Sequence, residues 1–286
     1  MAGGFHKACA QTAGKVYCWG GEKIPGELDP PDFADPSHLT AGGSHACVLD
    51  EGTVRCWGGG IAEPVNPDDF GNFGQSDPPP LSNPTGVYAG LLHTCAKEDS
   101  GLVCWGFGFG YFGGNEPENE PKSGNPKLVA PGANSTCVFD EVNGLGCWVF
   151  NPENGGEYGT PTYLRDVPEV QSPTLLSVRW ENACVVENRE IICWGLEDSG
   201  VTNPPQVTNP TILELGNDFG CVLDSGEVIC WGDGIGNPPP LSNPYDLAAG
   251  GVFACAADDT GVVCWGGDGL SPGITEPPAA LRDPSK

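Results

Sequence analysis

Between its hairpin-like segments the chain sustains no 3.6-residue apolar period; its apolar residues fall in short extended runs cut by glycine, and 29 prolines argue against long helices. Cys47-Val-Leu-Asp-Glu-Gly-Thr-Val-Arg-Cys56 shows the pattern. Folding it at Glu51-Gly52 sets Asp50 opposite Thr53, Leu49 opposite Val54 and Cys47 opposite Cys56, which predicts a two-residue β-hairpin with glycine at a left-handed turn position. Asp99-Ser-Gly101, Asp224-Ser-Gly226 and Asp259-Thr-Gly261 repeat the turn. A further extended stretch precedes most of these hairpins: Leu39-Thr-Ala-Gly42, Val87-Tyr-Ala-Gly90, Leu128-Val-Ala-Pro-Gly132, Leu213-Glu-Leu-Gly216 and Leu247-Ala-Ala-Gly250. Each predicts one more strand.

The hairpin carries its own covalent chemistry. Seven cysteine pairs recur: Cys9 and Cys18, Cys47 and Cys56, Cys95 and Cys104, Cys137 and Cys147, Cys184 and Cys193, Cys221 and Cys230, Cys255 and Cys264. Opposed hairpin residues lie about 4.5–5.5 Å apart at Cβ, close to what a disulfide needs. A tryptophan follows every second cysteine: Trp19, Trp57, Trp105, Trp148, Trp194, Trp231 and Trp265. Strand alternation turns each indole to the sheet face opposite the disulfide, so a blade can pack the two toward different neighbours. First cysteines recur every 34 to 48 residues, the range of propeller blades. Seven units fit a closed ring of small sheets better than a stack with open ends. Only eight residues precede Cys9, too few for a preceding strand, so the C-terminal segment, including Pro277-Pro-Ala-Ala-Leu281, is expected to return and close the ring.

The run Ala-Gly-Gly-Ser-His45-Ala-Cys-Val-Leu-Asp-Glu-Gly52-Thr-Val-Arg-Cys-Trp57-Gly58 resembles the repeat of the RCC1-like (regulator of chromosome condensation) family. The resemblance spans essentially the whole chain and implies one seven-bladed β-propeller domain over residues 1–286, an all-β fold with one hairpin disulfide per blade. It weakens in the fourth copy, whose turn Asp140-Glu-Val-Asn-Gly144 is a residue longer and where Val149 replaces glycine, and in the fifth, where Asn188-Arg189 replaces the turn glycine. Some bacterial propellers resembling this family inhibit an enzyme by capping its active site, so the resemblance admits inhibitory or surface-adhesion roles.

Fourteen paired cysteines point to an exported protein, extracellular or periplasmic. Reduced core thiols in a cytosolic protein are the competing reading. No Cys-x-x-Cys occurs and only four histidines are present, which argues against zinc. No apolar run could span a bilayer. The first residues lack the apolar core of a secretion signal, so an exported chain would be a mature domain given an initiating methionine, or a piece of a longer protein. A net charge of −26 leaves no basic surface for a polyanion, which excludes nucleic acid and the chromatin role of the family's namesake. Solubility explains the acidity as well as a cationic partner would.

For chemistry the sequence offers little. His45 and His93 obey the repeat, two residues before a cysteine, and are read as structural. Gly108-Phe-Gly110-Tyr-Phe-Gly113 has the letters of a dinucleotide fingerprint but is followed by Asn115-Glu-Pro-Glu, not a helix. Acidic loops such as Asp29-Pro-Pro-Asp32-Phe-Ala-Asp35 and Asn66-Pro-Asp68-Asp69 could supply oxygens to calcium but lack EF-hand spacing, and Asn134-Ser-Thr136 is a lone glycosylation sequon. No catalytic residue, cofactor or metal is assigned. The candidate partner-binding residues are Phe107, Phe109, Tyr111 and Phe112, joined by Phe70 and Phe73 from the preceding connection. The alternative is that these rings fold back onto the propeller or plug its channel. Prolines in Pro78-Pro-Pro-Leu-Ser-Asn-Pro84 and Pro238-Pro-Pro-Leu-Ser-Asn-Pro244 stiffen the rim. The reading is a monomeric, non-enzymatic extracellular module that presents aromatic and acidic loops to a protein partner. A lectin-like carbohydrate binder is the alternative, and a lyase or hydrolase in the central channel the third.

Overall fold

The computed structural model describes residues 1–21, 26–59, 73–107, 123–151, 157–159, 164, 166–197, 200–267 and 273–282. It contains seven antiparallel sheets, each built inner, middle, outer in chain order. The inner strands are Ala2–Gly3, Pro36–Ala41, Gly86–Ala89, Leu128–Pro131, Leu175–Arg179, Pro210–Leu215 and Asp246–Ala249. Middle and outer strands form the cysteine hairpins, from Lys7–Thr12 with Lys15–Gly20 in blade 1 to Phe253–Asp258 with Gly261–Gly266 in blade 7. Blade 4 adds a fourth strand, Glu157–Gly159.

In every hairpin the two cysteines are direct partners across the strands. All seven expected disulfides are formed: Cys9 bonds to Cys18, Cys47 to Cys56, Cys95 to Cys104, Cys137 to Cys147, Cys184 to Cys193, Cys221 to Cys230, and Cys255 to Cys264. The two ends of each bridge differ in depth. The first cysteine, on the middle strand, is fully buried in every blade. The second lies on the outer strand, where Cys104 and Cys147 are buried and Cys18, Cys56, Cys193, Cys230 and Cys264 are half-buried.

The turn around Glu51-Gly52 is as expected, with φ of 48° and 75°. In blades 3 and 7 the glycine instead opens the outer strand: Gly101 pairs with Glu98 and Gly261 with Asp258. Blade 5 manages without glycine because Asn188 and Arg189 themselves take left-handed φ values of 53° and 66°.

Packing between blades follows the disulfide and the indole. The Cys9 disulfide packs with Ala46, Val48 and Trp57 of the next blade, Cys137 with Ala183, Val185 and Trp194, and Cys221 with Ala254, Ala256 and Trp265. The series closes when Cys255 of blade 7 meets Ala8, Ala10 and Trp19 of blade 1.

A second repeated device lies three residues after each first cysteine, where six of seven blades carry a carboxylate: Asp50, Glu98, Asp140, Glu187, Asp224 and Asp258. Five of these accept amides from the segment leading into their own inner strand, such as Asp35 N to Asp50 at 2.8 Å and Ser242 N to Asp258 at 2.7 Å. Asp140 instead clamps its own longer turn through Val142 and Asn143. Against the upward push of burial, these donors hold Asp224 and Asp258 below the usual carboxylate range. Part of the chain's acidity is therefore fold chemistry.

The expectation that blade 1 lacks its own inner strand is corrected. Ala2 pairs with Cys9 and Gly3 with Ala8, because two residues suffice for a strand whose other edge faces the channel. The C-terminal segment closes the ring by packing instead of by pairing. Ile274 and Leu281 are buried among Ala8, Ala10, Trp19, Phe253 and Val262, and the Trp19 indole donates to Ile274 O at 2.9 Å. A short helix, Ala279–Arg282, carries Leu281 into that seam. Deleting residues 275–286 is expected to lower the Tm by about 2–4 °C for each kcal/mol lost. An unchanged melt in scanning calorimetry would contradict this role.

Candidate functional site

The turns between inner and middle strands gather on one rim of the ring. Backbone bonds tie them blade to blade: Phe5 N to Gly42 O, Gly43 N to Leu91 O, Leu91 N to Gly132 O, Asn217 N to Gly251 O and Gly251 N to Phe5 O. Such close approach requires glycine. A Cβ on Gly42 would lie 2.3 Å from Gly90 O, and one on Gly250 2.6 Å from Gly4 O.

Blade 5 departs from this rule. Five residues before the first cysteine the other blades carry Gly4, Gly42, Gly90, Gly132, Gly216 and Gly250, whereas blade 5 has Arg179 followed by Trp180. Arg179 pairs with Asn182 in a tight hairpin, and Trp180 takes a φ of 46°. The Arg179 guanidinium reaches across to donate to Gly4 O at 3.0 Å. Trp180 is 38% exposed and meets Phe5 edge to face, 6.2 Å between ring centroids.

Two of the expected aromatic residues meet on this rim. Phe73 and Phe107 are half-buried and pack edge to face at 4.7 Å, and Phe107 N donates to Leu92 O in the rim turn of its own blade. Phe70, Phe109, Tyr111 and Phe112 lie outside the described residues. Sequence reasoning missed Trp180 and Phe5. Their signal was available, since Trp180 is the one tryptophan that does not follow a cysteine.

Under the rim runs a belt of buried residues two positions before each first cysteine, polar in blades 1 to 5 (Lys7, His45, His93, Ser135, Asn182) and phenylalanine in blades 6 and 7. His45 Nε2 and Thr94 Oγ1 are 2.8 Å apart, as are His93 Nε2 and Thr136 Oγ1, so each imidazole joins its blade to the next. In the Asn134-Ser-Thr136 sequon Thr136 is only 1% exposed, while Asn134 itself is half-buried in the rim turn. In blade 1 the same position is Lys7, whose ammonium lies 2.7 Å from Glu27, both side chains 0% exposed. Burial pulls Lys7 down to about 8 against the attraction of Glu27. Among the described residues no group of His, Cys, Asp and Glu is arranged to hold a metal ion.

Burial also holds His93 down to about 4 and His45 well below its ordinary range, the latter helped by the Lys7 charge. The imidazoles are thus neutral in the fold and protonate readily once unfolded, so the unfolded chain binds more protons between about pH 6.5 and pH 4. Stability from His93 is full above about pH 6.5 and is lost as pH falls toward 4, on the order of 2–3 kcal/mol. Glu214, which burial raises to about 7, works in the opposite sense, so the effect must be isolated by difference. The expected result is that wild type loses more stability than His93→Gln between pH 7 and pH 4 in urea titrations. Parallel losses would show that the imidazole does not carry the term.

Taken with its disulfide hairpins and its ring of blades, the chain is a seven-bladed β-propeller whose fold is similar to that of yeast RCC1 (Prp20). No protein-family model matches the sequence, and no curated protein matches it. Among solved structures the fold is similar to the CRINKLY WD40 ectodomain of the Arabidopsis thaliana receptor kinase ACR4, with a TM-score of 0.69 and 20% identity over 96% of each chain. It is similar to the entire ectodomain of the Physcomitrella patens receptor kinase CR4, with a TM-score of 0.70 and 19% identity over 93% of this chain and 72% of that one. Prp20p of Saccharomyces cerevisiae, studied for its binding to Gsp1p and histones, gives 0.54 and 14% over 92% and 70%. At these identities what is shared is the fold.

Proposed function

We propose that this propeller is a non-enzymatic extracellular module that binds a protein partner through the rim bearing Phe5, Leu91, Trp180, Phe73 and Phe107. The observation that carries this reading is Trp180, a large aromatic residue held 38% exposed in a left-handed turn at a position where four of the other six blades carry Gly43, Ala133, Asn217 and Gly251. A rigid scaffold that spends backbone strain on exposing an indole has the character of a binding anchor. Seven disulfides support an oxidising compartment, and two of the similar folds are receptor ectodomains. The four positions of the rim equivalent to Trp180 that are not aromatic or leucine are Gly43, Ala133, Asn217 and Gly251. A lectin with repeated pockets needs similar residues there, so a single protein-sized patch is favoured over carbohydrate.

The test is affinity capture from the native extracellular mixture by the oxidised protein, followed by titration of the purified captured protein. A variant combining Trp180→Ser with Phe107, Phe109, Tyr111 and Phe112→Ala, checked for an unchanged melt, is expected to bind at least about thirtyfold more weakly, the loss of a hot spot of about 2 kcal/mol. Equal affinity of both proteins would remove the rim from consideration. Capture of glycans alone would favour the lectin reading.

A further inference from the structure

The channel along the propeller axis contains a cavity of about 190 Å3, partly open to solvent and lined by inner-strand residues of all seven blades. That volume far exceeds the ~10–15 Å3 one water requires, yet lies below the ~300–1,000 Å3 of sites for drug-sized ligands. Most of the lining residues are small or apolar, including Ala2, Ala41, Ala89, Ala130 and Ala249, while the surface they present to the cavity is mostly polar. Two charged side chains stand out because the repeat does not ask for either. Arg179 occupies the position of glycine in the other six blades. Glu214 occupies the position of Ala2, Thr40, Tyr88, Ala130, Ser177 and Ala248.

A residue that departs from an internal repeat needs an explanation outside the repeat's packing. Arg179 spends one N–H on Gly4 O, and Glu214 accepts from the amide of Ala249. Thr40 and Ser177 accept the equivalent amides, Ala89 N and Leu215 N, with plain hydroxyls, so this inter-blade bond does not require a charge. The other carboxylate near Glu214, Asp246, is engaged by the Met1 amino group. Arg179 and Glu214 interact electrostatically, yet no ion pair within 4.0 Å joins them. Burial pulls Arg179 down to about 10 and pushes Glu214 up to about 7, the latter against the attraction of the Met1 ammonium and, more weakly, of Arg179. Both groups have hydrogen-bonding capacity left for a molecule placed between them.

We propose that the axial cavity is a site for a small zwitterion of the free α-amino acid class, its carboxylate received by Arg179 and its ammonium by Glu214. The cavity volume suits a small molecule, and with the Met1 ammonium taken by Asp246, Arg179 and Glu214 offer one cation and one anion, which match a zwitterion better than a simple anion or amine. This site is independent of the aromatic rim, and either can fail without the other.

Isothermal titration of the whole oxidised protein with the standard L-amino acids, one at a time, tests the proposal, with acetate and methylamine as single-charge controls. The expected result is saturable one-to-one binding of at least one amino acid and none of either control. Arg179→Gly restores the residue of the other six blades and so should fold; it and Glu214→Gln, each with an intact melt, are expected to weaken binding at least about tenfold. The proposal is overturned if no amino acid gives saturable binding, if binding survives both substitutions, or if acetate binds as well as any amino acid and Glu214→Gln leaves it unchanged.

Discussion

Replacing Lys7 alone by methionine is expected to destabilise the propeller by about 3–5 kcal/mol, and Glu27→Leu alone by a similar amount. The double replacement is expected to fall within about 1–2 kcal/mol of the parent or above it. Each single change strands one charge in a place where neither side chain has any exposed surface. The repeat itself indicates that the double change can be accommodated. Phe219 stands where Lys7 stands and packs in one apolar cluster with Ile235; Phe253 does the same with Ile274. Ile235 and Ile274 close the seams before Trp265 and Trp19 as Glu27 does before Trp57. The ion pair is thus one of two solutions to the same gap between blades, and the polar one carries the larger desolvation cost. Lys7 also reaches Gly43 O at 3.4 Å, a weak link that adds little. Urea denaturation of the four proteins forms a double-mutant cycle. Singles costing under about 1 kcal/mol would mean that water reaches the pair, and additive losses in the double would mean that the seam needs the charges.

The parts of this fold that repeat were open to reading from the chain, because each blade states its hairpin, its disulfide and its indole within a dozen residues. What escaped was set by relations between blades. Glu27 lies in a connection of variable length, and its kinship with Gln75 and Val201 emerges only once the indoles of Trp105 and Trp231 are seen donating to the carbonyls of those two residues. The two-residue inner strand of blade 1 escaped because strand length was taken from the other blades, although a strand on the channel edge needs only one partner. Arg179 and Glu214 were visible as exceptions to the repeat, but their meaning depends on the inner strands converging on one axis. The aromatic residues illustrate the other limit. Composition singled out Phe107 and its neighbours, while Phe5 and Trp180, far apart in sequence, meet only because the ring closes.

The propeller is expected to resist thiol reductants while folded and, once unfolded and reduced, to fail to refold. The first cysteine of every pair is 0% exposed. The second is buried at Cys104 and Cys147 and half-buried at Cys18, Cys56, Cys193, Cys230 and Cys264, so attack on the first sulfur must wait for a blade to open and attack on the second is restricted. Each bridge closes a loop of about ten residues and contributes about 2–3 kcal/mol in the chain-entropy account. Seven such contributions do not add simply, yet half their nominal total is comparable to the ~5–15 kcal/mol by which whole domains are stable. Replacing only Cys184 and Cys193 by alanine should therefore leave a cooperative melt lowered by that single contribution, whereas the chain unfolded, reduced and returned to native buffer with excess reductant should show none by circular dichroism. The sheets offer little to make up the loss. Most are three-stranded, and the disulfide of one blade is itself the apolar surface on which the tryptophan of the next is packed. A reduced chain that kept a cooperative melt would place the stability in the seams between blades and remove the need for an oxidising compartment. Its collapse would tie the fold to that compartment, since a chain that cannot fold with free thiols can present Trp180 and its neighbours to a partner only where the bridges form.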